Sequence, residues 1–132
     1  MIHEFDPSLG LYIKAALGKK ALGLVVLDVR ELTSVADIFI ICSGRSNRQV
    51  TAIAEHIQTY LKKHRIRPLS VEGKNKGLWV LLDYGHVIIH VFYEPLRSFY
   101  DLEGLWVDAK RIQIQTPSEM TDENIKVERS HE

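Results

Sequence analysis

The chain has 132 residues, one cysteine and a formal net charge of +0. This length suits one domain with its own hydrophobic core, and a single cysteine excludes an internal disulfide bond. The longest apolar runs are too short to span a bilayer, and the N-terminal residues lack the features of a secretory signal peptide, so we expect a cytoplasmic protein without membrane contact.

The first predicted elements are a helix and two strands. Asp6 and Pro7 are residue types favoured at a helix start, and Gly23 is placed to end that helix. Two β-branched runs, at 24–29 and 37–42, then predict short buried strands.

A second long helix is predicted to begin at Ser46. Ser46 and Gln49 match a capping box, in which each side chain accepts a backbone N–H of the other residue. Cations at 62–65 suit the negative end of a helix dipole. Apolar residues at helical spacing indicate one buried face: Val50, Ile53, Ala54, Ile57 and Leu61.

The segment 77–95, with the sequence GLWVLLDYGHVIIHVFYEP, predicts a β-hairpin. A two-residue turn at 84–85 would place Asp83 opposite His86. With a further short strand at 68–72, the chain has about five strands and two main helices. This order predicts an α/β fold, a mixed sheet with both helices on one face.

Strand alternation sorts the hairpin side chains onto two faces. One face is wholly aliphatic, and we expect the two helices to cover it: Val80, Leu82, Val87, Ile89 and Val91. Two helices can hardly cover both sides of such a sheet, so we expect the other face to be open. That face carries a mixed set: Trp79, Leu81, Asp83, His86, Ile88, His90 and Phe92.

An open face with apolar residues beside polar ones is typical of a protein-docking surface. The predicted apolar anchors are Trp79, Leu81, Ile88 and Phe92, the predicted orienting polar contacts are Asp83 and His90, and the predicted extensions are Arg97 and Tyr100. In the segment that follows, Phe99, Leu102, Leu105 and Trp106 could instead pack the chain onto the sheet. If so, part of the face is closed by the chain itself.

The residues do not predict a catalytic, metal or cofactor site. Two histidines four residues apart on a strand are separated by about 13 Å, too far to share a metal ion. The turn Ser43–Ser46 lies between a strand and a helix, as phosphate-binding turns do, but it matches neither GxGxxG nor GxxxxGK[ST]. We therefore expect no metal, no cofactor and no catalytic residue.

The distribution of charge is uneven along the chain. Residues 115–132 carry five acidic and two basic side chains, which leaves 15 bases and 12 acids, about +3, on residues 1–114. This excess is too small to predict nucleic acid as the main ligand. The polar segment lacks hydrophobic periodicity, so we predict one domain over 1–114 and an acidic, disordered tail over 115–132.

Several motifs together resemble the ribosomal silencing factor family, also called Iojap or RsfS. The likeness runs in order from about Leu9 to Ala109. It rests on DIFIICSG at 37–44, Ser46, RQVTAI at 48–53, GLWVLLDYG at 77–85, VIIHVF at 87–92 and RSFYDLEGLW at 97–106.

The resemblance implies a sheet similar to that of nucleotidyltransferases and a role in repressing translation. It implies binding to the large ribosomal subunit through the protein numbered fourteen on the subunit-joining face, and steric exclusion of the small subunit. His86 departs from the acidic residue that the family pattern favours, which makes the charge of that part of the face dependent on pH.

Two alternative functions stay open. The first is a nucleotide-binding or nucleotidyltransferase-like enzyme that uses the turn at 44–46, although no pair of carboxylates such as Asp-x-Asp lies on a predicted strand. The second is an RNA-binding module, which the basic side chains of one region favour: Lys62, Lys63, Arg65, Arg67, Lys74 and Lys76. The open face could also serve a homodimer.

Overall fold

A computed structural model describes residues 7–114 and 127–129 of the chain. The helices are α1 (Leu9–Leu17), α2 (Asn47–Lys63), α3 (Glu94–Tyr100) and α4 (Leu102–Leu105). The strands are β1 (Leu22–Asp28), β2 (Ile38–Gly44), β3 (Ser70–Glu72), β4 (Trp79–Asp83), β5 (Val87–Tyr93), β6 (Lys110–Ile114) and β7 (Val127–Arg129). Within these ranges, no helix combines the length and the apolar character needed to cross a membrane.

Helix α1 ends earlier than the sequence predicted. Its C-cap is Gly18, while Gly23 lies within β1 with φ of +55°. The pairing of β1 with β2 shifts register next to this glycine, so Gly23 forms a β-bulge instead of terminating the helix. The predicted start at Asp6 lies outside the described residues.

Helix α2 begins as predicted, with one change in its capping. The Ser46 side chain accepts the backbone N–H of Gln49 at 3.1 Å. The Gln49 side chain, however, accepts the backbone N–H of Arg45 at 2.6 Å and not that of Ser46. The cap therefore satisfies two backbone donors. The donor of Gln49 is the predicted one, and that of Arg45 replaces the predicted donor of Ser46.

The sheet is mixed and larger than predicted, with the order β3-β4-β5-β2-β1-β6-β7. The predicted number of about five strands is wrong, because six lie between residues 22 and 114 and β7 adds a further one. Strand β6 was missed because it is short, polar and largely exposed, with only Ile112 buried. Strand β7 lies in the predicted tail; the disorder predicted for the rest of 115–132 concerns residues outside the described ranges.

The predicted hairpin is present, but its register is different. Asp83 pairs with Ile88, and the backbone N–H of Tyr84 donates to the carbonyl of Val87 at 2.9 Å. The turn is therefore at 85–86, where Gly85 adopts φ of +92°. Because the partner shifts by two residues, the strand residues keep their predicted faces, but the turn residue His86 does not: its ring contacts Tyr12 on α1, on the face covered by the helices.

The sheet separates two apolar clusters. Helices α1 and α2 pack together over one face, which contains the aliphatic side chains predicted for it: Val80, Leu82, Val87, Ile89 and Val91. The prediction of both main helices on one face is confirmed. A second cluster on the opposite face is covered in part by residues 102–109. The nucleotidyltransferase likeness stays a prediction.

Candidate docking surface

The open face predicted for the hairpin is closed over β5. Ile88, His90 and Phe92 are only 7%, 5% and 0% exposed. Leu102, Trp106 and Ala109 pack into the same cluster, and the Trp106 ring meets Phe39 edge to face at 5.0 Å. The expected exposure of the three β5 residues is therefore wrong, because α4 and the turn after it lie over them.

Trp79 lies at the margin of this covered region and is half-buried. Its indole N–H donates to Nδ1 of His90 at 3.1 Å. Its ring stacks on Phe92 with centroids 4.8 Å apart and meets Tyr100 at 5.1 Å. One side of Trp79 is thus fixed by buried groups, and the ring continues the cluster toward the surface.

His90 is a neutral hydrogen-bond acceptor. Burial lowers its pKa to about 4, so the ring is uncharged near neutral pH. Since Nδ1 accepts the indole proton, the ring proton is on Nε2, an atom that is buried without a hydrogen-bond partner among the described residues. His90 therefore fixes the position of the Trp79 ring from its buried side.

The remaining predicted residues of the hairpin are partly accessible. The Asp83 carboxylate accepts the backbone N–H of Gly85 at 2.8 Å and so stabilises the turn. Leu81 is half-buried at the edge of the second cluster. The half-buried His86 ring lies edge to face with Tyr12 at 5.8 Å, so it contacts α1 as well as solvent.

Arg97, predicted to extend the surface, forms a structural crosslink. Its guanidinium donates two hydrogen bonds to the Glu103 carboxylate, at 3.0 and 3.1 Å, and another to the Ser43 hydroxyl at 2.9 Å. The side chain is 15% exposed. The hydrogen bond from Arg97 is the main reason that the pKa of Glu103 is lowered. Arg97 therefore holds α3 and α4 to the sheet.

Four of the exposed large apolar residues lie on α3, α4 and the turn that follows. Tyr100 is 48% exposed, as predicted for a surface residue, and its ring meets that of Phe99 at 5.2 Å. Phe99, Leu105 and Val107 are 76%, 77% and 75% exposed. Together with Trp79 these four residues define what we call the docking surface.

Part of this surface was missed in the sequence. Phe99 and Leu105 were expected as candidates to pack onto the sheet, whereas only Leu102 and Trp106 do so. Helical spacing did not distinguish them, because Leu105 and Trp106 lie three and four residues after Leu102, and both spacings place a side chain on the same helix face. Helix α4 is also short, with four residues.

The segment that carries most of the docking surface is negatively charged. Residues 94–108 contain four acids and one base, a local balance of −3. Glu94, Asp101 and Asp108 are exposed, and the base, Arg97, is neutralised by Glu103. The surface thus presents aromatic and aliphatic side chains within an acidic rim.

The turn at 44–46 uses its polar groups within the protein. The Ser46 hydroxyl and the Arg45 backbone N–H are both bonded to Gln49. A Cβ atom added to Gly44 would lie 3.0 Å from the Val50 backbone nitrogen, so the glycine permits close packing of β2 against α2. Within the described ranges, no three His, Cys, Asp or Glu side chains form a metal-binding cluster.

These features define a small α/β protein with an exposed aromatic surface suited to binding another protein. A family model described as "Ribosomal silencing factor during starvation" matches residues 3–132. The chain therefore belongs to the ribosomal silencing factor family, which also confirms the resemblance seen in the sequence motifs.

Individual relatives agree with this assignment. A "Ribosomal silencing factor RsfS" from Halalkalibacterium halodurans is 37% identical over 107 residues, 81% of this chain and 92% of that protein. A mouse relative named "Mitochondrial assembly of ribosomal large subunit protein 1" is 30% identical over 91 residues, 67% of this chain and 40% of that protein.

The fold is also shared with solved structures. A crystal structure of a Chromobacterium violaceum protein is similar to this chain with a TM-score of 0.72 and 39% sequence identity. The match covers 74% of this chain and 81% of that one.

Proposed function

We propose that the protein binds the large ribosomal subunit and prevents the small subunit from joining. The contact would be made to the ribosomal protein numbered fourteen on the joining face, and the bound domain would occupy space that the small subunit needs. Translation would be repressed in the cytoplasm by this occlusion alone, without catalysis or a cofactor. The observation that carries the proposal is the docking surface.

The docking surface has the composition of an interaction hot spot. Exposed aromatic and aliphatic side chains are costly to leave in water, and aromatic residues dominate the energetics of many interfaces. The Trp79 ring is already held by His90 and Phe92. Because that side chain is preorganised, binding loses little rotamer entropy.

The acidic rim suits the proposed partner. Ribosomal proteins that lie on RNA carry an excess of lysine and arginine, since they neutralise phosphate groups. Exposed Glu94, Asp101 and Asp108 would meet such a protein with opposite charge, which speeds encounter and disfavours wrong partners.

The buried hairpin residues would contribute indirectly, by supporting residues of the docking surface. We propose that Ile88, His90 and Phe92 support Trp79 and the α4 segment and do not touch the partner. Leu81 and Asp83, which are half-buried, would lie at the margin of the contact. Tyr100 would join Trp79 at its centre.

Two exposed residues offer the cleanest test. In Phe99→Ser/Leu105→Ser, both side chains are more than three-quarters exposed, so the fold should be retained. Purified subunits are mixed with each protein and sedimented through a sucrose gradient. The wild-type chain should migrate with the large subunit and lower the fraction of joined ribosomes, whereas the double variant should do neither.

Leu69→Ser is the matched control. Leu69 is 76% exposed, and its backbone N–H donates to the carbonyl of Asp83 at the end of β4 remote from Trp79, so this variant should behave as wild type. A wild-type chain that stays at the top of the gradient and leaves joining unchanged would contradict the proposal. Equal loss of binding in the control would show that the docking surface is not the contact.

A further inference from the structure

The positive charge of the chain is concentrated in one region. Residues 55–76 contain six bases and two acids, a balance of +4, while the whole chain has a balance of +0. The bases lie on the last turn of α2, the connection to β3 and the loop after β3. This region, which we call the basic groove, is separate from the acidic rim of the docking surface.

Part of this region lines a surface cavity. A groove of about 480 Å³ lies between α2 and the two segments that flank β3. Its lining contains three cations and no aromatic residue: Glu55, Gln58, Thr59, Lys62, Ile66, Arg67, Pro68 and Lys74.

Most of this positive charge is not neutralised within the described residues. Lys74 is the exception, because its ammonium lies 3.6 Å from the Glu55 carboxylate and donates to the Gln58 side chain at 2.9 Å. Within residues 7–114 and 127–129, no ion pair involves the other cations of the region: Lys62, Lys63, Arg65, Arg67 and Lys76.

The backbone holds one of these cations in an unfavourable conformation. Arg65 has φ of +64°, the left-handed region in which glycine normally ends a helix. The backbone N–H of Ile66 donates to the carbonyl of Leu61, and that of Arg65 donates to Lys62, as in a Schellman motif. A cation at a position that favours glycine is consistent with a requirement for charge there.

We propose that the basic groove binds the phosphate backbone of double-helical RNA and gives the protein a second contact with the large subunit. This inference rests on the proposed function. The groove is lined by two unpaired cations, Lys62 and Arg67, and the other unpaired cations lie in the same region of the chain. Such a set suits a row of phosphates, since arginine and lysine are the usual ligands of that backbone. The absence of aromatic residues in the groove lining disfavours single-stranded RNA, whose bases stack on such side chains.

The two contacts are compatible with each other. Helix α2 packs on the sheet face opposite to that covered by α4, so occupancy of the docking surface leaves the basic groove accessible. The loop after β3 connects them, because exposed Lys76 precedes exposed Leu78 and the docking-surface residue Trp79. Protein and RNA neighbours on one ribosomal surface could therefore be bound together.

Lys62→Gln/Arg67→Gln tests the basic groove, with Arg45→Gln/Arg48→Gln as its control. Each variant removes two exposed cations, but the control pair lies at the opposite end of α2. Affinity for purified large subunits is measured from about 50 to 200 mM KCl. The groove variant should lower the slope of log affinity against log salt by about 2, and the control should not. Equal slopes in wild type and groove variant would overturn the inference.

A 20-base-pair RNA duplex separates this inference from the proposed function. Phe99→Ser/Leu105→Ser should lose the subunit but bind the duplex as wild type does. If the wild-type chain does not bind subunits, the proposed function fails, and binding to the duplex alone tests the inference. Salt-sensitive binding of the duplex that is lost in the groove variant would support the inference. No binding of the duplex at about 50 mM KCl would overturn it. The groove variant could also show a smaller salt dependence of subunit binding but an unchanged affinity for the duplex. That result would indicate an acidic protein partner and would overturn the inference as well.

Discussion

At the scale of single residues, the contact between Trp79 and His90 links the core to the docking surface. The indole is half-buried and the imidazole is buried, so one hydrogen bond connects an accessible ring to the interior. The bond requires a neutral histidine, which burial provides by lowering its pKa. Two predictions follow from this pair.

Trp79→Phe should lower the free energy of unfolding by about 1–3 kcal/mol, because it keeps an aromatic ring on Phe92 but leaves the buried His90 acceptor unsatisfied. Urea denaturation measures the loss. In the double variant with His90→Leu, the two effects should not be additive, since the second change removes the orphaned acceptor. Additive losses would mean that the hydrogen bond contributes nothing.

The stability of the protein should fall as pH is lowered below 6.5. The pKa of His90 in the folded chain is about 4, against 6.5 when unfolded, so the unfolded state binds the proton first. Stability is therefore complete above pH 6.5 and decreases between 6.5 and 4, by about 3 kcal/mol. Denaturant unfolding at several pH values should show this decrease in wild type and in His64→Gln, an exposed control. His90→Leu should show a smaller decrease in stability. A decrease as large as in wild type would mean that other groups cause the pH dependence.

At the scale of elements, α3 and α4 are held by an ion pair more than by burial. Neither helix contains a fully buried residue. Arg97 joins Glu103 on α4 to Ser43 on β2, and also donates to the Leu22 carbonyl on β1 at 3.4 Å. The position of α3 and α4 thus depends on this guanidinium as well as on the packing of Leu102 and Trp106.

Arg97→Ala should destabilise the protein by about 2 kcal/mol, a value discounted for the partial exposure of Glu103. Arg111→Ala is the control: its guanidinium lies 3.9 Å from the same carboxylate, but the side chain is 59% exposed, so a change within about 0.5 kcal/mol is expected. Hydrogen exchange should show the loss of protection first in α3 and α4. Similar losses in both variants would contradict a special role for Arg97.

At the scale of the whole molecule, charge and apolar surface are segregated. The region around the docking surface has a balance of −3, and residues 55–76 have a balance of +4, within a chain of net charge +0. This segregation suits a protein that meets a basic protein on one side and RNA on the other.

The docking surface should also permit self-association when no ribosome is present. Sedimentation equilibrium of the wild-type chain at rising concentration should show a dimer, because the exposed apolar side chains are buried against a second copy. Phe99→Ser/Leu105→Ser should remain monomeric and Leu69→Ser should dimerise. Dimerisation of both variants would place the homodimer contact elsewhere.

The main helices, the faces of the hairpin strands and the family were predictable from local patterns in the sequence. The 3.6-residue period of α2 and the alternation in β4 and β5 depend on local geometry, so helix position and side-chain direction could be predicted from them. The hairpin partners were two residues out because the turn was assigned to Tyr84-Gly85. Period-two alternation preserved the faces of the strand residues, but not that of the turn residue His86.

The accessibility of these residues, by contrast, depends on how the segments pack in three dimensions. His90 and Phe92 are buried because Leu102 and Trp106 pack into their cluster, where the Trp106 ring meets Phe39 on β2, a residue distant in sequence. Local patterns indicate which side chains share a face, but they do not indicate what covers that face. That is why the family and the sheet face of each strand residue were predictable from the sequence, while the exposure of those residues was not.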